Sequence, residues 1–236
     1  MSNDILILAG SSIAIAFIHT ISGPDHYLPF IALSKAGKWN ASKTIIITTL
    51  CGLGHVSSSI LLGLIGVALG FELAKINDLQ SIIENLAAWF IIIFGFTYFI
   101  WGIYKAINNK PHGHFHFHDT GIIHSHKHKH VAEHTHPHIS EKSKKTSWIL
   151  FIIFIFGPCE PLIPLIMYPA SKGDLQLVFV VGIVFCLTTI ITMVSIVLLS
   201  FYGLSKISLT KSEKYSHAIA GLTILITGGA IIFLGL

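Results

Sequence analysis

Six apolar stretches alternate with polar connections along the chain, at residues 5–34, 44–70, 84–107, 147–170, 175–203 and 216–236. Each is long enough to cross a bilayer, which takes about 20 residues of helix. Their Ile, Leu, Val and Phe residues continue round the whole helix, as they do on helices that face lipid and not on half-buried surface helices. The pattern predicts an all-α integral membrane protein with six transmembrane helices. The first stretch is expected to be a span and not a cleaved signal peptide, because MSND carries Asp4 and no Lys precedes Lys35. Polar residues further along it argue against a bare signal anchor.

Composition agrees. Of 236 residues, 53% are hydrophobic and 11% charged, against about 25% charged in a soluble domain, and the mean hydropathy is +0.74. This excludes a water-soluble protein and leaves no room for a large soluble domain. All fifteen basic side chains are Lys, and thirteen of them fall in the first, third and fifth connections. The positive-inside rule then places those connections in the cytoplasm and both termini outside a cell (inner) membrane. Cys51, Cys159 and Cys186 lie inside apolar stretches and form no CxxC pair, so no disulfide framework is implied. No GxxxxGK[ST] motif occurs. Neither an enzyme, a prosthetic group nor a nucleic-acid partner is expected; the lipid bilayer is.

GPDHYLPFIALSKAG at 23–37 is echoed by GPCEPLIPLIMYPASKG at 157–173. Each copy opens on Gly-Pro near the start of a group of three spans. A three-span unit repeated in tandem enters the membrane from the opposite side the second time, which gives two inverted repeats, the architecture that forms sites near the midplane from broken helices. The expected division is 1–107 as the first repeat, 108–146 as a cytoplasmic His-rich flexible loop, and 147–236 as the second repeat.

Ionisable side chains inside a span cost about 2.5–3.5 kcal/mol each on insertion scales, so they mark function by default. Here they gather at the two breaks and one facing helix: His19, Asp25 and His26 around Gly23-Pro24, His55 in the second span, and Cys159 and Glu160 directly after Gly157-Pro158. Glycine-proline interrupts a helix and frees backbone carbonyls, which is tolerated at membrane depth only toward a protein-lined or wet cavity. Imidazole with carboxylate is the ligand set of divalent transition metals, and an Asp beside a ligand His can coordinate or fix the ring from behind. Serines 57–59 could hold water or orient His55. Single interhelical hydrogen bonds would explain one His, but not this concentration. The candidate metal residues are therefore His19, Asp25, His26, His55, Cys159 and Glu160. His217, isolated near the end of the last span, reads as structural.

The string His19-Thr-Ile-Ser-Gly-Pro-Asp25-His26, followed by Gly54-His55 and by GPCEPLIPL, resembles the nickel/cobalt transporter superfamily, and within it the urease-accessory membrane protein branch. Five residues separate His19 from Asp25, where the better-characterised permeases of that superfamily have four. The resemblance implies Ni²⁺ or Co²⁺ recognition at Asp25, His26 and His55 during transport, with the ion as cargo and a cytoplasmic metallochaperone as a candidate partner. Ligand histidines bind metal deprotonated and titrate near neutrality, which makes proton coupling physically reasonable.

Eleven of the fifteen histidines lie between His112 and His138, mostly at every second residue. This is not the spacing of a folded zinc site. It reads as a chain of interchangeable imidazole donors that buffers or hands over cytoplasmic metal with little discrimination.

Two other classes compete with metal transport. Membrane thiol-disulfide electron carriers of the cytochrome c biogenesis type have a similar duplicated three-span layout with Pro-Cys at each break. Pro158-Cys159 fits one half of that pattern, while Pro24-Asp25 replaces the other cysteine. Sulfite-type anion exporters share the hydropathy, but Asp25 and Glu160 at the breaks would repel an anion.

Overall fold

The computed structural model describes residues 3–70, 73–108, 113–117, 123–127, 141–157, 159–205 and 213–234. Its membrane part is helical throughout. Helix α1 (Asn3–Ser22) runs into a 3-10 turn at Pro24–His26 and then into the short α2 (Leu28–Ala36). Next come α3 (Ala41–Ala68), α4 (Leu73–Asn108), α5 (Glu141–Phe156), α6 (Leu162–Ser171), α7 (Leu175–Ser205) and α8 (Ser216–Leu234).

Five of these helices, α1, α3, α4, α7 and α8, are long and apolar enough to cross a membrane. The protein is therefore a multi-pass membrane protein. The stretch 147–170, expected to be the fourth of six spans, is two shorter apolar helices, Thr146–Phe156 and Leu162–Ser171. Gly157, Pro158 and Pro161 separate them, because proline supplies no amide to the helix ladder and clashes with the preceding turn. Leu6, Phe17, Ile46, Leu61, Phe179 and Leu199 are among the many large apolar side chains turned outward, as lipid-facing surfaces require.

Two local signals set the ends of the central helix α3. The side chain of Asn40 accepts the Lys43 amide at 2.8 Å, capping α3. At its other end Gly70 has φ +67°, a left-handed turn that costs glycine nothing.

Helices α4 and α8 lie antiparallel in backbone contact. A Cβ on Gly95 would fall 2.5 Å from the Leu225 amide nitrogen, and one on Gly228 2.8 Å from Ile92. Gly102 abuts Ala218, and Gly221 abuts Phe99, more closely still. Gly95 and Gly102, like Gly221 and Gly228, are seven residues apart and so share one helix face. Small residues allow this approach where lipid offers no hydrophobic drive between helices. At one end the pair is pinned by His217, whose Nδ1 lies 2.9 Å from the Tyr98 hydroxyl and whose Nε2 lies 3.0 Å from Lys105 Nζ.

Between the halves, the connection is not wholly without regular structure. Gly113–Phe117 pairs antiparallel with Ile123–Lys127, so that His114 is opposite His126 and His116 opposite His124. The other seven histidines of the 112–138 tract lie outside the described residues.

Candidate functional site

Helix α3 is the wall on which both breaks meet. From the first break, His26 reaches α3 with its Nε2 3.2 Å from the Nε2 of His55. Both rings are buried, 2% and 5% exposed, and they stand edge to face with centroids 5.0 Å apart. His19, one turn before the break on α1, lies edge-on to His26 at 4.8 Å and parallel to His55 at 6.5 Å. Its Nε2 is buried without a hydrogen-bond partner. One ring nitrogen from each of the three lies within 4.8 Å of the other two.

The opposite edge of the His26 ring is held by the first break itself. His26 Nδ1 is 3.1 Å from the Gly23 carbonyl and 3.1 Å from Asp25 Oδ1. Both are acceptors, so the ring proton is assigned to Nδ1 and Nε2 presents a lone pair. The two Nε2 atoms lie at hydrogen-bonding distance, His55 donating to the lone pair of His26 when the space between them holds no ion. At a metal–nitrogen distance of about 2.0–2.1 Å, two donors on a tetrahedral ion sit about 3.3–3.4 Å apart. The His26–His55 pair matches that span. A carbonyl or carboxylate behind the ring is the usual support of a metal-ligating imidazole.

The six sequence candidates therefore divide. His19, His26 and His55 converge; Asp25 stands behind His26 as its orienting carboxylate. Cys159 and Glu160 are outside this donor cluster. Cys159 is fully buried, with its amide donating to Ser59 Oγ at 2.5 Å, and Ser59 donates in turn to the His55 carbonyl at 3.2 Å. Ser59 thus fastens the second break to the helix carrying His55, while Ser58 donates to the same carbonyl at 2.8 Å. Cys186 packs against the core cluster that contains Cys159, whereas Cys51 belongs to a different cluster around Phe30 and Met193. All three thiols are free.

Sequence reasoning missed Gln80 and Glu84. The apolar stretch begins at 84, which made both look like flanking residues, yet α4 begins at Leu73 and carries them inside the span. Their i, i+4 spacing was the available signal.

A family model described as cytochrome C biogenesis protein transmembrane region matches residues 28–230. The chain belongs to this family. The match runs from α2 through both halves, taking in His55 and Cys159. No curated protein and no solved structure matches the chain significantly.

Membership corrects the resemblance to the nickel/cobalt transporter superfamily, and with it the readings of nickel or cobalt transport and of a permease. That resemblance rested on short strings at the breaks, and His19, Asp25 and His26 all precede the matched segment. A Gly-Pro break that buries imidazoles and a carboxylate has the same physical requirements whatever family it serves, so the strings report local chemistry and not descent.

Proposed function

We propose that the chain is a membrane electron carrier of the cytochrome c biogenesis type, moving reducing equivalents between the two sides of the bilayer. The observation that carries this reading is the family match over both halves. Its centre is the place where the breaks meet on α3. At the second break the redox group is the Cys159 thiol. At the first, where a cysteine would complete the pattern, Asp25 and His26 stand instead, and the convergence of His19, His26 and His55 supports a redox-active transition-metal ion as the partner. Copper or iron suits three imidazoles and changes charge by one electron, so each disulfide reduced to two thiols would take two successive cycles of the ion and two protons. The ion in this reading is resident and not cargo, and the chain is a carrier and not an enzyme.

The halves are read as inverted repeats, α1 to α4 and α5 to α8. In support, contacts exchange between them: α1 packs on α7 as α5 packs on α3, α3 on α6 as α7 on α2, and α4 pairs with α8. The lysine distribution supports cytoplasmic placement of the connection between the halves.

The test is transmembrane reduction of a disulfide reporter sealed inside proteoliposomes, with reductant supplied outside. Copper-loaded wild-type protein should reduce the reporter at least tenfold faster than empty vesicles. Cys159→Ser should return the rate to the empty-vesicle level while the protein stays folded. Equal rates in wild-type and empty vesicles would remove the electron-carrier reading.

A further inference from the structure

The connection between the halves holds a regularity that neither break uses. Histidine at every second residue is the one-face period of a β-strand, because successive positions of a strand alternate between the two faces of its sheet. Gly113–Phe117 and Ile123–Lys127 are strands, paired antiparallel. Their register sets His114 opposite His126 and His116 opposite His124. Directly opposed residues belong to the same face of a ladder, and His114 and His116 share a face because they are two apart. All four histidines are therefore placed on one face of the hairpin. The other face receives Phe115 and Phe117, opposite Ser125 and Ile123. A slip of one residue would set the histidines against Ile123, Ser125 or Lys127 and divide them between the faces.

Spacing follows from the ladder. Opposed residues have Cα atoms about 4.5–5.5 Å apart, and residues two apart along a strand are separated by about 6.4–6.8 Å. The pairs His114–His126 and His116–His124 are two steps apart, so they are of the same kind in the alternation of hydrogen-bonded and non-hydrogen-bonded pairs. Four imidazole-bearing positions thus stand at the corners of a rectangle of about 5 by 7 Å. Neither strand contains a carboxylate or a thiol, so the donor set is imidazole alone. Imidazole suits Cu, Ni and Zn, whereas Mg and Ca select oxygen. Four nitrogens offered from one plane match the tetragonal preference of Cu²⁺ better than the tetrahedral one of Zn²⁺.

We propose that the juxtaposition of His114, His116, His124 and His126 on one hairpin face is a binding site for a single ion of the Cu²⁺ class. It is separate from the cluster of His19, His26 and His55, and it is independent of the electron-carrier reading. Alternation without a hairpin would make every histidine of the tract an equal donor; the register makes four of them a set. A two-stranded hairpin is marginal alone, and an ion held across both strands adds its binding free energy to the paired form.

The experiment is titration of the full-length His26→Ala protein in detergent with CuCl₂, followed by electron paramagnetic resonance and by competition with a chelator of known affinity. The substitution removes the membrane cluster and leaves the connection intact. One Cu²⁺ per chain should fill first, about tenfold or more tighter than those that follow, because the second pair binds at high effective concentration, and its spectrum should carry the hyperfine pattern of several nitrogens. Exchanging neighbours, His114→Phe with Phe115→His and His116→Phe with Phe117→His, keeps the number of histidines and moves two of them to the other face. It should weaken the first Cu²⁺ about tenfold or more. His114→Ala and His126→Ala should each weaken it comparably, and His134→Ala with His136→Ala should leave it within about twofold. The same exchange in the otherwise wild-type chain, read as a difference titration, serves if His26→Ala does not fold. Copper ions that fill the unexchanged tract with no tight first site, an exchanged variant that binds as before, or equal losses from His126→Ala and His134→Ala would each overturn the proposal.

Discussion

The two helix breaks start from the same Gly-Pro and end in different chemistry. At the first, Asp25 and the Gly23 carbonyl grip His26 from one side and aim its other nitrogen at His55. At the second, the residue with a side chain that could react, Cys159, is sealed inside the protein with its amide tied to Ser59. One break presents nitrogen donors, the other a thiol, and α3 carries a residue for each. The lesson is that a broken helix supplies a position and free carbonyls, while the two residues after the proline decide what chemistry is placed there.

The sharpest way to break this contrast is to add the same methyl to both breaks. A Cβ on Gly23 would stand 2.5 Å from His26 Nδ1 and 2.8 Å from Asp25 Oδ1, whereas on Gly157 its nearest neighbour is Ala87 at 3.6 Å, an ordinary contact. Gly23→Ala should therefore abolish metal binding at the cluster, and Gly157→Ala should leave it within about twofold. Copper titration followed by electron paramagnetic resonance reads this, with the signal of His26→Ala subtracted as the background from the histidine-rich connection. Equal effects at the two glycines would mean that the breaks are not differently filled.

A smaller loss is expected from Asp25→Asn, which keeps the shape at the first break but weakens the acceptor behind His26. Supporting groups of this kind are worth about 10–100-fold in metal affinity, and the same titration should show a weakening in that range with no change in stoichiometry. An unchanged affinity would assign Asp25 no orienting role. Smallest is Ser59→Ala at the second break, which leaves the buried Cys159 amide without its acceptor. A lost hydrogen bond of this type costs about 1–3 kcal/mol, or a fall in unfolding temperature of about 2–10 °C for a chain of this size. Copper affinity should stay nearly constant. A large loss of copper instead would show that Ser59 positions His55 and not only the thiol.

Much of this was legible in the sequence. Apolar run lengths predicted a membrane-spanning helical protein, and Gly23-Pro24 and Gly157-Pro158 predicted where helices stop, because proline chemistry is local. The residues at the breaks were also visible as residues out of place in lipid. What could not be read was direction. Nothing in the spacing says that Cys159 and Glu160 fall outside the imidazole cluster while His19, five residues before Pro24, joins it. Gln80 and Glu84 were hidden because a hydropathy boundary marks where apolar residues begin, not where the helix does. Family was misread for a related reason: a few chemically conspicuous residues at the first break outweighed a helical pattern shared along residues 28–230.

The glycine contact between α4 and α8 has a mechanical consequence. With backbone pressed on backbone at Gly95, Gly102, Gly221 and Gly228, no layer of side chains remains there to act as a sliding bearing. The two halves are fastened along that seam, and a rocking of one against the other would have to tear it. The short arms beyond the breaks are locked into the same body, since Phe30 and Leu33 of α2 and Leu162, Ile163 and Ile166 of α6 are all fully buried.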